Sequence, residues 1–433
     1  MIMRRNVYGR LLEWKNSENR KPLILRGMRQ CGKTYILKKF GEENYKNVQY
    51  FNFEGNEVLS KIFDGNLDPE ELLKKLRAFT EGTIDEDTLI IFDEIQFCGK
   101  AITSLKYFCE DAPGYHVVCA GSLLGVLYSN PTSFPVGKVS FIEMYPMSFD
   151  EFLLAMKKEN LYDHICGLKR GESISESVLE LLNISYREYC FTGGMPEAIK
   201  TWRAERDPRM VREIQNSILT ANEYDFVKYA PKKDIEKIRL VWSRLTDQLT
   251  KENRKFIFGH VVEGARGRDL EDAVKWLIDA GLVYKVCLVK KVEFPLTAFV
   301  DHMHFKLYFS DIGLFGAMAK LPPTVMTNDS YLGIFKGSLT ENYVLTELIV
   351  SMGEIPYYWR SNNEAEIDFL LMLDDMIIPI EVKTGSYKRL KSMERYMELY
   401  DPKRSVVVSK ENLNYENMIS VPLPLVWRMK DMI

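Results

Sequence analysis

The sequence predicts an α/β protein: a largely parallel sheet first, then a helical region, then a second α/β unit. Three observations predict it. The first third alternates short apolar runs with helix-like segments, the pattern of βαβ units. The central runs there are almost continuously apolar, as expected of strands covered on both faces. The last hundred residues hold a further set of strand-like runs around helical stretches.

In chain order, the first strands are predicted at Pro22–Arg26, Val48–Phe53, Leu89–Phe92, Val117–Ala120 and Val139–Tyr145. From Ser148 to about Asp225 the pattern is helical, broken by T-G-G-M-P at Thr192–Pro196. Residues 235–310 read as helices followed by two β-rich runs, Leu282–Val292 and Phe305–Phe309. A stretch with Pro322, Pro323, Asn328 and Asp329 reads as a linker. The final unit has a helix over Ser338–Met352, strands at Tyr357–Arg360, Glu366–Leu371, Ile377–Lys383 and Ser405–Ser409, and a helix over Tyr387–Tyr400. There is no internal repeat.

Composition excludes several classes. The 433 residues are 46% hydrophobic and 27% charged, the balance of a globular protein and not of a disordered chain. A net charge of −3 rules out a global basic field for nucleic acid, although residues 1–40 carry a local excess of +9. Seven scattered cysteines without a C-x-x-C pair point to free thiols in a reducing compartment. No apolar segment follows the basic start, so no secretory signal is expected. Residues 117–137 are uncharged, but their Ser, Asn and Pro content makes a poor membrane span. The expected setting is the cytoplasm, with no membrane partner.

Gly27, Met28, Arg29, Gln30, Cys31, Gly32, Lys33 and Thr34 spell G-M-R-Q-C-G-K-T, which fits G-x-x-x-x-G-K-[ST] between an apolar strand and a helix. The glycines let backbone N–H groups curl around a phosphate. Lys33 reaches the β- and γ-phosphates, and the Thr34 hydroxyl can ligate Mg²⁺. ATP and Mg²⁺ are therefore the expected cofactors. The strand L-I-I-F-D-E delivers Asp93 to the Mg²⁺ shell and Glu94 as a group that polarises attacking water. The next strand ends in Gly121–Ser122, and Ser122 is a candidate sensor beside the γ-phosphate.

These stretches, with A-G-S-L-L-G (Ala120–Gly125), V-G-K-V (Val136–Val139), Y-P-M-S-F-D-E-F (Tyr145–Phe152) and T-G-G-M-P-E-A (Thr192–Ala198), resemble an AAA+-type ATPase of a large prokaryotic family close to the archaeal-type ATPases. The resemblance implies an ATPase core with a helical lid over residues 1–225 and a winged-helix-like domain over 226–325. It also implies a homo-oligomer that completes its sites with an arginine from a neighbour. Where the family commonly has that arginine, this chain has Lys138, a point charge without the planar fork. Arg29, inside the loop, is the other basic candidate.

The middle segment Arg266–Val283 turns Leu270, Val274, Leu277 and Ile278 to one side, with the following β-runs as wing strands. Asp269, Glu271, Asp272 and Asp279 outnumber Arg268 and Lys275, so this helix is poor in the charge that holds phosphates, and a structural or protein-contact role is expected. His302 and His304 sit two apart on a strand-like run without a third ligand nearby.

In the last unit, alternation places Glu366 and Asp368 on one face of E-I-D-F-L-L, and Glu381 and Lys383 together in P-I-E-V-K. Carboxylates with a lysine are what metal-dependent phosphodiester hydrolysis requires. With Glu341 on the preceding helix, Asp368, Glu381 and Lys383 resemble the acid, D and ExK positions of PD-(D/E)xK nucleases. That resemblance implies a restriction-endonuclease-like domain over 326–433. The expected function is an ATP-hydrolysing module coupled to this nuclease-like domain, with DNA as candidate partner. The alternative is a nucleotide-dependent switch or adaptor that binds a partner without cleaving. The basic run Lys388, Arg389, Lys391 and Arg395 would track phosphates in the first case and be a solvated face in the second.

Overall fold

β1 (Leu23–Arg26), β2 (Asn47–Asn52), β3 (Thr88–Asp93), β4 (His116–Ala120) and β5 (Ser140–Glu143) form one sheet in the order β2-β3-β4-β1-β5. Each neighbouring pair is parallel, with helices Lys33–Asn44, Pro69–Phe79 and Gly99–Asp111 among the crossovers. The computed structural model describes residues 3–80, 82–121, 134–250, 255–261, 267–326, 333, 335–361, 365–385, 387, 389–416 and 418–433. All six residues of β3 are buried, because helices cover both faces. Phe92 anchors the core and meets Phe51, Phe53, Phe63 and Phe108 edge-on or tilted. A parallel sheet lines up the carboxyl ends of its strands on one edge. The loop after β1 and the acids ending β3 therefore arrive on the same side, where open α/β sheets bind ligands.

The chain divides into two compact units, Met3–Tyr145 with Asp279–Gly281, and Pro146–Ile278 with Leu282–Ile433. The expected division was at 225 and 325. In the second unit, the helices from Phe149–Ala155 to Ile235–Leu249 accompany a seven-stranded mixed sheet. Its strands are β6 (Val283–Val289), β7 (Val300–Phe309), β8 (Tyr357–Arg360), β9 (Glu366–Leu373), β10 (Met376–Val382), β11 (Val406–Ser409) and β12 (Ile419–Pro422), in the order β12-β11-β10-β9-β8-β6-β7. The two runs expected as a wing are the β6–β7 hairpin, which pairs with β8 and is continuous with this sheet. The register shift between Cys287 and Leu288 leaves His302 and His304 exposed, and His304 Nδ1 lies 3.0 Å from Asp301 Oδ2. Of the apolar face read for the Arg266–Val283 segment, Leu270, Val274 and Leu277 are buried.

Two quoted motifs are joints of this second unit. In Y-P-M-S-F-D-E-F, Ser148 N–H donates to Glu151 at 3.2 Å, and Phe149 N–H donates to the buried Glu347 at 3.0 Å. These carboxylates satisfy the free N–H groups that begin the helix Phe149–Ala155. In T-G-G-M-P, Gly194 donates its N–H to Asp311 Oδ2 at 2.6 Å and accepts from Met147 N–H at 2.7 Å. A Cβ on Gly194 would stand 2.2 Å from Met147 O, so only glycine admits this crossing.

Candidate functional site

The phosphate loop is built by close backbone approach. A Cβ on Gly27 would lie 2.0 Å from the carbonyl oxygen of Met144, and Gly32, at φ +99°, caps the helix Lys33–Asn44 in the left-handed region. Arg5 steadies the loop by donating to Cys31 O at 2.8 Å and Tyr145 O at 2.6 Å. Cys31 and Met28 are buried beneath it, whereas Arg29 is half-buried and Gln30 exposed. Lys33 is 7% exposed, and its ammonium donates to the carbonyls of Gly27 and Met28, both at 2.8 Å. The two carbonyls satisfy donors of the ammonium without bringing a counter-charge, so the nest stays attractive to an anion.

Across the strand edge, Thr34 Oγ1 donates to Asp93 Oδ2 at 2.8 Å, and the Tyr50 hydroxyl donates to the same oxygen at 2.7 Å. Glu94 N–H donates to Asp93 Oδ1 at 3.0 Å. This fixes one carboxylate beside one hydroxyl, the hard-oxygen pair that Mg²⁺ accepts next to phosphates. The donors therefore fit Mg-ATP: Lys33 and the loop amides for phosphate, Thr34 and Asp93 for the metal. Glu94 follows at φ +50°, which turns its side chain away from that of Asp93. Gln96 Nε2 donates to Glu94 Oε2. Burial raises the Glu94 carboxyl above its usual range, as does the charge of Asp93, while Gln96 and Lys33 oppose the rise. A carboxyl poised this way suits a general base.

The structure brings together Gly27, Gly32, Lys33, Thr34, Asp93 and Glu94. Ser122 lies outside the described residues. Lys138 precedes β5 at the edge where β1 begins, since Ser140 pairs with Leu23, and it forms an ion pair with Glu110 at 2.8 Å. The phosphate loop is at the opposite end of β1. Tyr50 and Gln96 were not anticipated as site residues. The strand pattern of Val48–Phe53 and the I-F-D-E-I-Q run contained both, but neither sequence says what the side chain reaches.

In the second unit, Asp368, Glu381 and Lys383 share a face as alternation predicts, because Ile380 pairs with Phe369 in the β9–β10 ladder. Glu381 Oε1 is 2.6 Å from Lys383 Nζ, and Asp368 Oδ2 accepts Val382 N–H at 2.8 Å. Burial raises the Glu381 carboxyl and Lys383 opposes it. Glu341 is engaged elsewhere: Lys306 Nζ lies 3.1 Å from its Oε1, and Tyr308 donates to the same oxygen. Among the described residues, no group of three or more His, Cys, Asp or Glu is placed to hold a metal ion. Glu341, expected beside Asp368 and Glu381, is the one of the three acids held by Lys306 and Tyr308. A lysine thirty-five residues upstream neutralises Glu341 instead. In the basic run, Arg389 pairs with Glu394 and Arg395 with Glu398, as on a solvated helix face. Lys388 lies outside the described residues.

Residues 19–153 match the model of an AAA domain, residues 183–325 a domain of unknown function (DUF8612), and residues 336–426 another domain of unknown function (DUF4143). An uncharacterized protein of Haemophilus influenzae is 27% identical over 209 residues, which are 46% of this chain and 45% of that protein. The chain thus spans less than half the length of this curated relative. Among solved structures, a Walker-type ATPase of Pyrococcus abyssi is similar at TM-score 0.45 and 12% identity, over 73% of this chain and 96% of that one. The ORC1 protein of Aeropyrum pernix, in complex with DNA, is similar at TM-score 0.29 and 16% identity, over 76% and 95%. DnaA from Aquifex aeolicus, bound to AMPPCP, gives 0.27 and 15%, over 63% and 86%.

Proposed function

We propose that this chain, whose residues 19–153 match an AAA domain, binds Mg-ATP, hydrolyses it and uses the nucleotide state to control a partner-binding C-terminal domain. The observation that carries the reading is the 2.8 Å contact of Thr34 with Asp93, directly below a glycine-built nest with Lys33 and beside Glu94. Bound magnesium supplies charge neutralisation at the phosphates. The chain's own residues do the rest. The loop amides and Lys33 orient the triphosphate, with Lys33 exchanging the carbonyls of Gly27 and Met28 for phosphate oxygens. Asp93, held by Tyr50, keeps the Thr34 hydroxyl in place. Glu94 takes the proton of the attacking water at a carboxylate oxygen, and Gln96 orients that carboxylate.

Calorimetric titration of Mg-ATP tests the reading: Lys33→Ala should lose most of the affinity, and unchanged affinity would remove the proposal. Glu94→Gln should bind as tightly as the parent and lose turnover by about 10²–10⁴-fold, the usual worth of a general base. A parental rate in that variant would mean that another group activates the water.

For the C-terminal domain we favour the adaptor reading, because Glu341 is committed to Lys306 and Tyr308. The second reading, a DNA-associated enzyme that cleaves, is favoured by the shared face of Asp368, Glu381 and Lys383. Strand scission that disappears in Lys383→Ala would establish it. The setting proposed is the cytoplasm; no described helix is long and apolar enough to cross a membrane. The assembly proposed is a homo-oligomer.

A further inference from the structure

The nuclease-like pattern of the C-terminal sheet implies a divalent ion, and the donor set does not fit one. Lys306, on β7, is 1% exposed, and its ammonium bridges two carboxylates, Glu341 Oε1 at 3.1 Å and Glu366 Oε1 at 2.7 Å. Tyr308, on the same strand, donates its hydroxyl to the Glu341 oxygen that Lys306 holds. Arg360 stands directly opposite Glu366 in the β8–β9 register. Lys255 is brought alongside by the 3.0 Å bond from Phe256 N–H to Phe305 O, next to Lys306 in sequence. Burial holds Lys255 below the usual lysine range; Arg360 and Lys306 depress it further and Glu366 opposes them, so these charges sense one another.

The charge count decides what such a place accepts. Among the described residues, three cations, Lys255, Lys306 and Arg360, stand around two carboxylates, Glu341 and Glu366, a local charge of +1. A divalent ion added there would meet net repulsion, and its coordination site between the carboxylates is already taken by an ammonium. Of the remaining acids, Asp368 accepts the Val382 amide and Glu381 pairs with Lys383 through Oε1, while the buried Glu381 Oε2 has no hydrogen-bond partner among the described residues. An ammonium is a compact point charge with three donors, able to satisfy carboxylates that would otherwise require a metal.

We infer that Lys306 is the resident cation of this sheet, replacing a divalent ion between Glu341 and Glu366, so that the face works without metal. The inference rests on the adaptor reading of the domain and deepens it. The domain keeps the strand arrangement and charged row of a nuclease-like face as a metal-free scaffold.

The test is a Mn²⁺ titration of the full chain, read by calorimetry and electron paramagnetic resonance, without nucleotide. It uses a Thr34→Ala/Asp93→Asn background that silences the phosphate-loop metal site. That protein should show no saturable Mn²⁺ site. Adding Lys306→Met, which keeps the chain length and removes the charge, should create one of about unit stoichiometry, and Glu341→Gln should abolish the gain. A saturable site in the Lys306-containing background that is lost on Glu341→Gln or Asp368→Asn would overturn the inference. So would a folded Lys306→Met variant that binds no Mn²⁺. If Lys306→Met alone does not fold, the Lys306→Met/Glu341→Gln pair decides the matter. Removing both charges should restore folding, because breaking a buried pair one-sidedly is what destabilises. A double variant as unstable as the single one would mean that Lys306 has another role. Since neither nucleotide nor nucleic acid is present, failure here leaves the ATPase reading standing, and a failed ATPase leaves the titration interpretable.

Discussion

Asp93 and Glu94 are adjacent in sequence yet held in different ways, and the difference suits the two tasks proposed for this strand end. Asp93 is pinned through both oxygens by Thr34, Tyr50 and the Glu94 amide. Glu94, turned by its positive φ, is held by Gln96. Because Gln96 opposes the burial-driven rise of the Glu94 carboxyl, its removal has a predictable sign. Gln96→Leu should move the acid limb of the kcat–pH profile to higher pH, with Mg-ATP affinity unchanged. An acid limb that stays in place, or moves down, would show that Glu94 is not the titrating base. The residues legible in the sequence were those fixed by local spacing: the glycines, Lys33, Thr34, and the acids ending an apolar strand. Tyr50 reaches Asp93 from a neighbouring strand, and Lys306 reaches Glu341 across thirty-five residues. Such contacts depend on register and helix placement, which no single segment encodes.

The elements show the same division. Strands β1, β3 and β4 are continuous apolar runs between turn signals, so their burial was readable. β12 (Ile419–Pro422) was missed because four residues ending in proline carry little pattern, and its place follows from β11 beside it. The β6–β7 hairpin was visible as strands, but its attachment to β8 joins segments separated by the linker. T-G-G-M-P marked a break in a helical region, and the structure makes it a joint where Asp311 receives the N–H groups of Gly194 at 2.6 Å and Leu314 at 2.8 Å. Gly194→Ala should cost about 2–4 kcal/mol, since its Cβ would meet backbone rather than a movable side chain. A denaturation midpoint within error of the parent would contradict this geometry. Burial pushes the Asp311 carboxyl up to about 6, against the pull of its N–H partners. A carboxyl raised on folding favours the folded state while it is protonated. Its contribution is therefore full below the unfolded value near pH 4 and is lost as pH rises through about 6. Asp311→Asn should abolish this decline and cost roughly 1–3 kcal/mol, because one amide oxygen replaces two acceptors. Unfolding midpoints measured from pH 4 to 7 test both effects.

At the scale of the molecule, the question is whether one copy suffices for turnover. The Met3–Tyr145 unit supplies the nest, the proposed magnesium ligands and the proposed base on one sheet edge. Two basic residues were expected as possible transition-state partners, Lys138 and Arg29. Lys138 lies at the opposite edge on Glu110. Arg29 is in the loop, half-buried. A cation that neutralises charge developing on the transferring phosphoryl group is worth about 10³–10⁵ in rate in related phosphoryl-transfer enzymes, so a site that borrows one from a neighbour is slow alone. Under the proposed homo-oligomer, the ATPase rate per chain should rise with protein concentration across the range where sedimentation shows self-association. Mixing in Glu94→Gln chains offers a second reading: inactive copies that still donate the cation should sustain their active neighbours. A per-chain rate that stays flat from monomer to oligomer would make each copy self-contained. Arg29→Ala would then be the informative variant, because a loop arginine acting in its own site should lower turnover equally at every concentration.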